Sequence, residues 1–269
     1  MRFYLYPFFI LLLSVFSCQT GKLILLGDLS KSIEEASATE TVIGSNLIWT
    51  IEDSGNKNNI YGLDTYGSII KDIDISNSKN IDWEDLTSDE SGNLYIGDFG
   101  NNSRKRKLFT IYKVLNVPSL EKKTKAEIIN FKLPKTIKSK DFESFFLWKN
   151  YFYIFSKENK KTIVIKVPNA IGDQVAEFVC EIKFKGKHNR ITSADINAKQ
   201  REIILLNHDK IIKINNFKND DFSTGTITLL DFEHKSQKEG ICYKDDFTVF
   251  ITDEYSNKTG GNIYEFKLE

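Results

Sequence analysis

Acidic and amide side chains are concentrated in the stretch NIDWEDLTSDESGNLYIGDFGNN, residues 80–102. Carboxylate and amide oxygens are the ligands that Ca²⁺ and Mg²⁺ prefer, whereas zinc sites normally include His or Cys. The segment DESGN is similar to the start of a calcium loop, but no Glu follows at the distance that such a loop requires. We therefore interpret DESGN as a turn between two strands, which leaves Glu84 and Asp98 as the candidate ligands.

The acid at the start of this stretch belongs to a motif that recurs along the chain. An acid that opens a strand is followed by a small or polar residue in EAS (Glu35), EDL (Glu84), ESF (Glu143) and EGI (Glu239). TSA at Thr192 occupies the same place without an acid. The units are 47 to 59 residues apart, close to the 40 to 50 residues of a four-stranded propeller blade.

Alternating apolar runs such as NLYIGD, YFYIFSK and EIILLN predict β-strands throughout, and the chain has only four prolines. Each of the first four units divides into four strands, but the fifth has three before the chain ends. The segment KLILLGDL, residues 22–29, supplies the missing outer strand, since a ring of sheets must close and an open edge is a liability. The sequence therefore predicts an all-β, five-bladed β-propeller; a six-bladed ring would need a further acid-opened unit.

In a propeller, the start of each first strand and the end of each second strand lie on the same rim of the central channel. Carboxylates gathered there repel each other, so some have raised pKa values or a cation lies among them. Three interpretations stay open: carboxylates that cap neighbouring backbone and build turns, a bound divalent cation, and recognition of a cationic ligand. His208 is the one histidine expected near this rim. The acids expected on the rim are Glu35, Glu84, Glu143, Glu239, Asp53, Asp98, Glu158, Asp209 and Asp253.

The N-terminal segment MRFYLYPFFILLLSVFSCQT has one early cation and an apolar run, which is typical of a secretory signal peptide. The run is too short to span a bilayer comfortably. Because VFSC resembles a bacterial lipobox, we predict a signal peptide at 1–17, acylation of Cys18, and one propeller domain at 18–269. An ordinary signal peptide or an uncleaved anchor is the alternative. This interpretation places the protein in the cell envelope as a lipoprotein, periplasmic or at the cell surface.

The charge balance and the motif content exclude several classes of function. The chain has 37 basic and 37 acidic residues, whereas nucleic-acid-binding proteins normally carry a basic surface. Cys180 and Cys242 lie in apolar strand patterns and are expected to be buried free thiols. The sequence has no GxSxG, HExxH, CxxC or Walker motif. We expect a monomer whose partners are a lipid anchor and an unidentified small-molecule or protein ligand.

Three segments give the chain a family resemblance. KEGICYKDDFTVFITDE (238–254), WTIEDSGNKNNIYGLDTYG (49–67) and the opening stretch resemble the SdiA-regulated and esterase-like-phytase group of secreted β-propellers. More distantly, the pattern is similar to the gluconolactonase and paraoxonase-type propellers. Proteins of the latter type hold a divalent cation in the channel on Glu, Asn and Asp side chains, and they hydrolyse lactones or phosphoesters.

The resemblance implies a metal site, with Ca²⁺ as the expected ion, on Glu84, Glu143, Glu239, Asp98 and Asp253. Three functions are consistent with such a chain. The first is a ligand-binding or protein-binding module of the cell envelope that uses the acidic mouth, and the second is a divalent-metal-dependent hydrolase of esters or lactones. The third is a platform for envelope assembly that uses the apolar side surfaces.

Overall fold

A computed structural model describes residues 20–33, 35–186, 188–256 and 259–269. The predicted signal peptide at 1–17 and the predicted lipidation site Cys18 lie outside these residues, so both remain predictions. Within the described ranges, no helix has the length and apolar character needed to cross a membrane. The two short helices are single 3₁₀ turns at Val117–Ser119 and Phe222–Thr224.

The described residues form five separate sheets, which confirms the five-bladed β-propeller and removes the six-bladed alternative. The strand that closes the ring is β1 (Ile24–Asp28). The first blade contains β2 (Glu40–Thr41), β3 (Ile48–Thr50), β4 (Asn59–Leu63) and β5 (Ile69–Ile75). The second contains β6 (Trp83–Ser88), β7 (Leu94–Asp98), β8 (Phe109–Val114) and β10 (Glu127–Lys132), with β9 (Lys123–Thr124) between the last two along the chain.

The remaining blades follow the same antiparallel order from the channel outward. The third contains β11 (Phe142–Trp148), β12 (Tyr151–Ser156), β13 (Lys161–Pro168) and β15 (Glu177–Lys183), with β14 (Gly172–Val175) before its outer strand. The fourth contains β16 (Ser193–Asn197), β17 (Glu202–Leu206), β18 (Lys210–Asn215) and β19 (Thr226–Asp231). The fifth contains β20 (Lys238–Tyr243), β21 (Thr248–Asp253) and β22 (Asn262–Lys267).

The fifth blade is completed by the N-terminal strand, as the sequence predicts. β1 pairs antiparallel with β22, so both ends of the propeller chain lie in one sheet. This pairing covers the outer edge that the last three strands would otherwise expose.

Two short strands link neighbouring blades in a way that the sequence analysis did not foresee. β9 pairs in parallel with β5 of the first blade, and β14 pairs in parallel with β10 of the second. In each case a connection within one blade reaches back to cover the outer edge of the preceding blade. The unpaired backbone groups of those two edges are thereby satisfied.

The blades are held together by apolar side chains between adjacent sheets. Phe109 of the second blade contacts Phe142 of the third edge to face, with ring centroids 5.8 Å apart. Phe99 and Phe145 contact in the same manner at 5.1 Å, and all four rings are fully buried. Such pairs add directional attraction to the burial of apolar area, and they fix the angle at which neighbouring first strands meet at the channel.

Candidate metal centre at the acidic mouth

The recurring acids lie at irregularities of the first strands. In the second blade Trp83 pairs with Asp98 and Asp85 pairs with Gly97, which leaves Glu84 as an extra residue. The third and fifth blades have the same register shift at Glu143 and Glu239. A β-bulge redirects the side chain of its extra residue and often lies next to a functional site.

The fourth blade lacks the acid. Thr192 stands where the other blades have an acid, directly before Ser193, which pairs with Leu206 of β17. The Thr192 N–H donates to the carbonyl of the same Leu206 at 3.0 Å. The Thr192 hydroxyl donates a hydrogen bond of 2.8 Å to the Lys238 carbonyl of the next blade.

Three carboxylates from two blades come together at this end of the channel. Asp53 follows β3, whereas Asp82 and Glu84 lie at the start of β6, and one ligand oxygen of each lies within 4.8 Å of the others. The Asn80 amide holds the blades in this arrangement, since it donates hydrogen bonds of 2.8 Å to the carbonyls of Glu52 and Asp53. We call Asp53, Asp82, Glu84, Glu143 and Glu239 the acidic mouth.

Burial and mutual repulsion raise the pKa values of this group. Burial raises the pKa of Asp82 to about 6, with a further contribution from the charge of Asp53. Burial also raises the pKa of Asp53, to which the charges of Glu239 and Glu35 add. The charge crowding that the sequence implied is therefore present around the triad of Asp53, Asp82 and Glu84.

Glu84 and Glu143 form a carboxyl pair between adjacent blades. Burial, followed by the charge of Glu143, raises the pKa of Glu84 well above its usual range, and burial raises that of Glu143 to about 8. The two groups are close enough to hydrogen-bond when one of them carries a proton. Without a cation, the pair is therefore expected to hold one shared proton at neutral pH.

One lysine approaches this pair from the third blade. Lys157 Nζ donates to Glu143 Oε2 at 2.8 Å; although burial opposes it, the charges of Glu143 and Glu239 raise the pKa of Lys157. Glu143 Oε1 is buried and accepts no hydrogen bond from an N–H or hydroxyl donor among the described residues. A buried carboxylate oxygen without a donor requires a proton on Glu84 or a cation.

The backbone beside the triad packs closely against two of its carboxyl groups. Gly100 lies directly against the carboxyl groups of Glu84 and Asp82, where a Cβ atom would overlap both of them. The Gly100 N–H donates to the Asp82 carbonyl at 3.1 Å, which fixes this close approach. The donor set contains only oxygen, which suits Ca²⁺ or Mg²⁺. The triad, the oxygen of Glu143 without a donor and the glycine together fit a divalent cation.

Two further predicted ligands bind donors within their own blades. Asp98 is fully buried, and its Oδ1 accepts from Arg106 Nη1 at 2.9 Å and from the Asp82 N–H at 3.1 Å. Asp253 is also buried, and its two oxygens accept from the Asn262 N–H at 2.8 Å and the Tyr264 hydroxyl at 3.0 Å. Asp98 Oδ2, like Glu143 Oε1, is buried without a hydrogen-bond partner among the described residues, and Asp98 and Asp253 both remain predicted ligands.

The other expected rim acids are spread around the same mouth. Glu239 Oε1 lies 3.1 Å from His208 Nε2, which places the predicted rim histidine against a predicted ligand. Glu158 accepts from Lys140 at 2.8 Å, and Glu35 accepts from the Asn56 amide at 2.5 Å.

An open cleft of about 510 Å³ adjoins the acidic mouth. Lys157, His208 and Glu239 line it together with loop residues of the third and fourth blades and of the connections that follow them: Asn159, His188, Arg190, Asn207, Asp209 and Gln237. A concave, polar space of this size beside a cation site is suitable for a small molecule.

Sequence reasoning missed Asp82 and Lys157. Both stand one residue outside the observed strands: Asp82 precedes β6, and Lys157 follows β12. Either residue resembles an ordinary loop charge in sequence. The sequence signal that could have identified Asp82 is the pair of acids in DWE, in which Asp82 and Glu84 flank a buried tryptophan.

Deeper in the channel, Asp85 joins three blades. Its Oδ1 accepts from the Ser193 hydroxyl at 2.9 Å, and its Oδ2 accepts from the N–H groups of Phe145 at 3.1 Å and Ala194 at 3.2 Å. Burial raises its pKa well above the usual range, although these hydrogen bonds oppose the shift. Asp85 therefore acts as a structural centre between the two ends of the channel.

A second carboxyl pair lies towards the opposite end, which we call the far mouth and define by Glu40 and Asp195. Burial, followed by the charge of Asp195, raises the pKa of Glu40, and burial raises that of Asp195 to about 6. Backbone groups bind both side chains: Asp195 accepts from the N–H groups of Ile196 and Tyr243 at 2.7 and 2.8 Å, and Glu40 accepts from that of Thr41 at 2.7 Å.

Comparison with known proteins places the fold but assigns no family. No protein-family model matches the chain, and no curated protein matches it. Among solved structures, a gluconolactonase from Xanthomonas campestris has a TM-score of 0.52 at 6% identity, over 93% of this chain and 92% of that one. A PQQ-bound aldose sugar dehydrogenase from Streptomyces coelicolor has a TM-score of 0.50 at 7% identity, over 92% and 98%.

Virginiamycin B lyase from Staphylococcus aureus matches with a TM-score of 0.46 and 16% identity, over 87% of this chain. The present chain spans 66% of the length of that lyase. The likeness to the gluconolactonase and to the sugar dehydrogenase, at 6% and 7% identity, supports the propeller fold alone. Membership of the SdiA-regulated group remains a prediction.

Proposed function

We propose that the chain is a divalent-metal-dependent hydrolase of esters or lactones that acts at the acidic mouth. The observation that carries the proposal is the triad of Asp53, Asp82 and Glu84, whose ligand oxygens converge within 4.8 Å. Beside the triad, Glu143 has a buried oxygen without a donor. A cleft wide enough for a small substrate is lined by Lys157, which binds Glu143, and by Glu239 of the same mouth. One solved structure with this fold is a gluconolactonase, but because a fold does not supply function, the residues must support the chemistry.

Asp53, Asp82 and Glu84 would hold the ion, with Glu143 beside them. A divalent cation bound there would polarise the carbonyl group of an ester or lactone and lower the pKa of water. Calcium is the ion that we propose, because the donors are exclusively oxygen and three carboxylates converge.

His208 and Glu239 supply the proton transfer. When Nε2 carries the proton that faces Glu239 Oε1, Nδ1 is the basic nitrogen and takes a proton from the attacking water. The water oxygen bonds to the acyl carbon, the acyl C–O bond breaks, and the proton on Nδ1 passes to the leaving oxygen. The products are a carboxylic acid and an alcohol, or a hydroxy acid from a lactone.

Calorimetric titration of the chain with Ca²⁺, followed by turnover of gluconolactone and 4-nitrophenyl esters, tests the proposal. We expect a Kd on the order of 10⁻⁴ M or tighter and ester or lactone hydrolysis that chelation abolishes. Glu84→Gln removes one ligand charge, and Gly100→Ala pushes a methyl group into the site. Each should weaken calcium binding by about 100-fold, because Glu84→Gln removes a charged ligand and Gly100→Ala displaces the carboxyl groups of Glu84 and Asp82.

Calorimetry and turnover together separate the metal-dependent hydrolase from the alternative, a binding module. Absence of calcium binding at millimolar concentration contradicts the metal-dependent hydrolase. Tight binding without turnover of any ester or lactone favours a binding module that recognises its ligand through the metal. The lipid anchor is tested independently, because Cys18→Ala should release the chain from membranes.

A further inference from the structure

One wall of the cleft contains two basic side chains that form no ion pair with a described residue. Arg190 and His188 are exposed on this wall. Arg190 forms no ion pair or side-chain hydrogen bond with a residue that the structure describes. A planar guanidinium without a protein partner, on a concave surface, is suited to bind an oxyanion through two parallel hydrogen bonds.

The backbone of this wall is held in place. Asn189, between the two basic residues, is buried and donates to the carbonyls of Asn159 at 3.2 Å and Lys185 at 3.3 Å. The His188 carbonyl accepts from the Asn207 amide at 3.1 Å, and His188 has a φ of 59°, which is unusual for a residue other than glycine. Because the middle residue is anchored inward, its two neighbours are presented to the cleft.

The lining of the cleft contains charges of both signs. Glu239 and Asp209 are acidic, Arg190 is basic, and Lys157 is already bound to Glu143. An anionic substrate would be repelled by the carboxylates unless its charge were placed at Arg190. A molecule with a reactive carbonyl at one end and a carboxylate at the other matches both kinds of group.

We propose that the substrate of this hydrolase carries a carboxylate, which Arg190 binds while the ester or lactone carbonyl lies at the acidic mouth. The inference rests on the proposed function for the position of the carbonyl. It adds the substrate class, an acidic ester or lactone, and it identifies Arg190 as a specificity residue with His188 beside it.

The proposed substrate class is tested by comparing the turnover of two esters of equal acyl length. The 4-nitrophenyl monoester of glutaric acid ends in a carboxylate, and 4-nitrophenyl valerate ends in a methyl group in the same place. In the calcium-loaded chain, kcat/KM should favour the acidic ester by about tenfold or more, as expected for a charge-assisted hydrogen-bonded pair. Arg190→Gln should abolish that ratio.

Arg104→Gln is the matched control, because Arg104 is also exposed and has no ion pair among the described residues, but it lies outside the cleft. The control should keep the ratio of the parent chain. A ratio that Arg190→Gln leaves unchanged overturns the inference, while hydrolysis of the neutral ester would still support the proposed function.

Binding of glutarate, measured by calorimetry on the calcium-loaded chain, is a readout that does not depend on turnover. We expect saturable binding that Arg190→Gln weakens by about tenfold and that Arg104→Gln leaves unchanged. If the parent chain does not bind glutarate, the anionic subsite is refuted whatever the esterase assays give.

Discussion

The two ends of the channel contain similar carboxyl pairs in different surroundings. At the far mouth, Asp195 and Glu40 accept three backbone hydrogen bonds between 2.7 and 2.8 Å. At the acidic mouth, Glu143 Oε1 has no N–H or hydroxyl donor among the described residues, and the adjoining triad packs against a glycine. Both pairs are buried, and burial raises the pKa values in both.

The comparison shows that burial of acids does not by itself indicate a ligand site. Backbone donors neutralise the cost of a buried carboxylate at the far mouth, and that pair has a structural explanation. At the acidic mouth the corresponding donors are missing, so a proton or a cation must take their place. The bulges at Glu84 and Glu143 account for this difference, because they turn the side chains away from the ladder of their own sheet.

The largest expected effect is a loss of stability when Asp85, which lies between the two ends of the channel, is replaced. Asp85→Ala leaves the donors of Phe145, Ser193 and Ala194 without an acceptor. At about 1 to 3 kcal/mol for each buried unsatisfied group, less some relaxation, the free energy of unfolding should fall by about 3 to 5 kcal/mol. Urea denaturation of the calcium-free chain measures the change.

Asp85→Asn is the matched control, because it keeps one carbonyl oxygen and should lose less stability than Asp85→Ala. A loss of under about 1 kcal/mol for the alanine variant would contradict the structural role, since one unsatisfied donor alone costs that much. Such a result would also remove the distinction between acids that support the channel and acids that bind a ligand.

The next effect is a pH dependence of stability. Folding raises the pKa of Glu143 to about 8 and those of Asp82 and Asp195 to about 6. The native state therefore holds more protons than the unfolded chain between about pH 4.5 and 8, and unfolding releases them. The stabilisation is complete below the pKa values of the unfolded chain, and it is lost as the pH rises through the pKa values of the folded chain. The free energy of unfolding then falls by roughly 1 kcal/mol per pH unit for each proton released on unfolding.

Thermal unfolding at pH 5 and pH 8 checks this sign. Without calcium, the chain should be less stable at pH 8 by about 2 to 3 kcal/mol, because more than one group contributes. Calcium should restore most of the loss, since a cation replaces the shared proton of the acidic mouth. A chain that becomes more stable from pH 5 to pH 8 without calcium would show that these carboxyls are ionised in the native state.

The smallest effect is expected at the far mouth. Glu40→Gln replaces a carboxyl whose raised pKa already favours the neutral form, so the free energy of unfolding at pH 7 should change by less than about 1 kcal/mol. Calcium affinity should remain at the level of the parent chain, in contrast to Glu84→Gln. Equal losses of affinity in the two variants, measured by calorimetry, would mean that the two mouths do not differ in function.

The strand pattern and the repeat of about fifty residues were sufficient to predict the fold. Alternating apolar residues report which face of a strand is buried, and the missing outer strand of the last unit forced the N-terminal segment into the ring. The parallel pairings of β9 and β14 escaped prediction, since each is a short segment that pairs with a strand of another blade. No local pattern encodes such a contact.

The sequence by itself determined that acids recur at the strand starts and that the fourth blade lacks one. Only the tertiary structure decided which of them meet. Asp98 and Asp253 occupy equivalent positions in their blades, and local donors bind both. Asp82, one residue before its strand, completes the triad. The distance between the carboxylates is set by the angle between two blades and by a bulge. Neither of these is visible in the sequence.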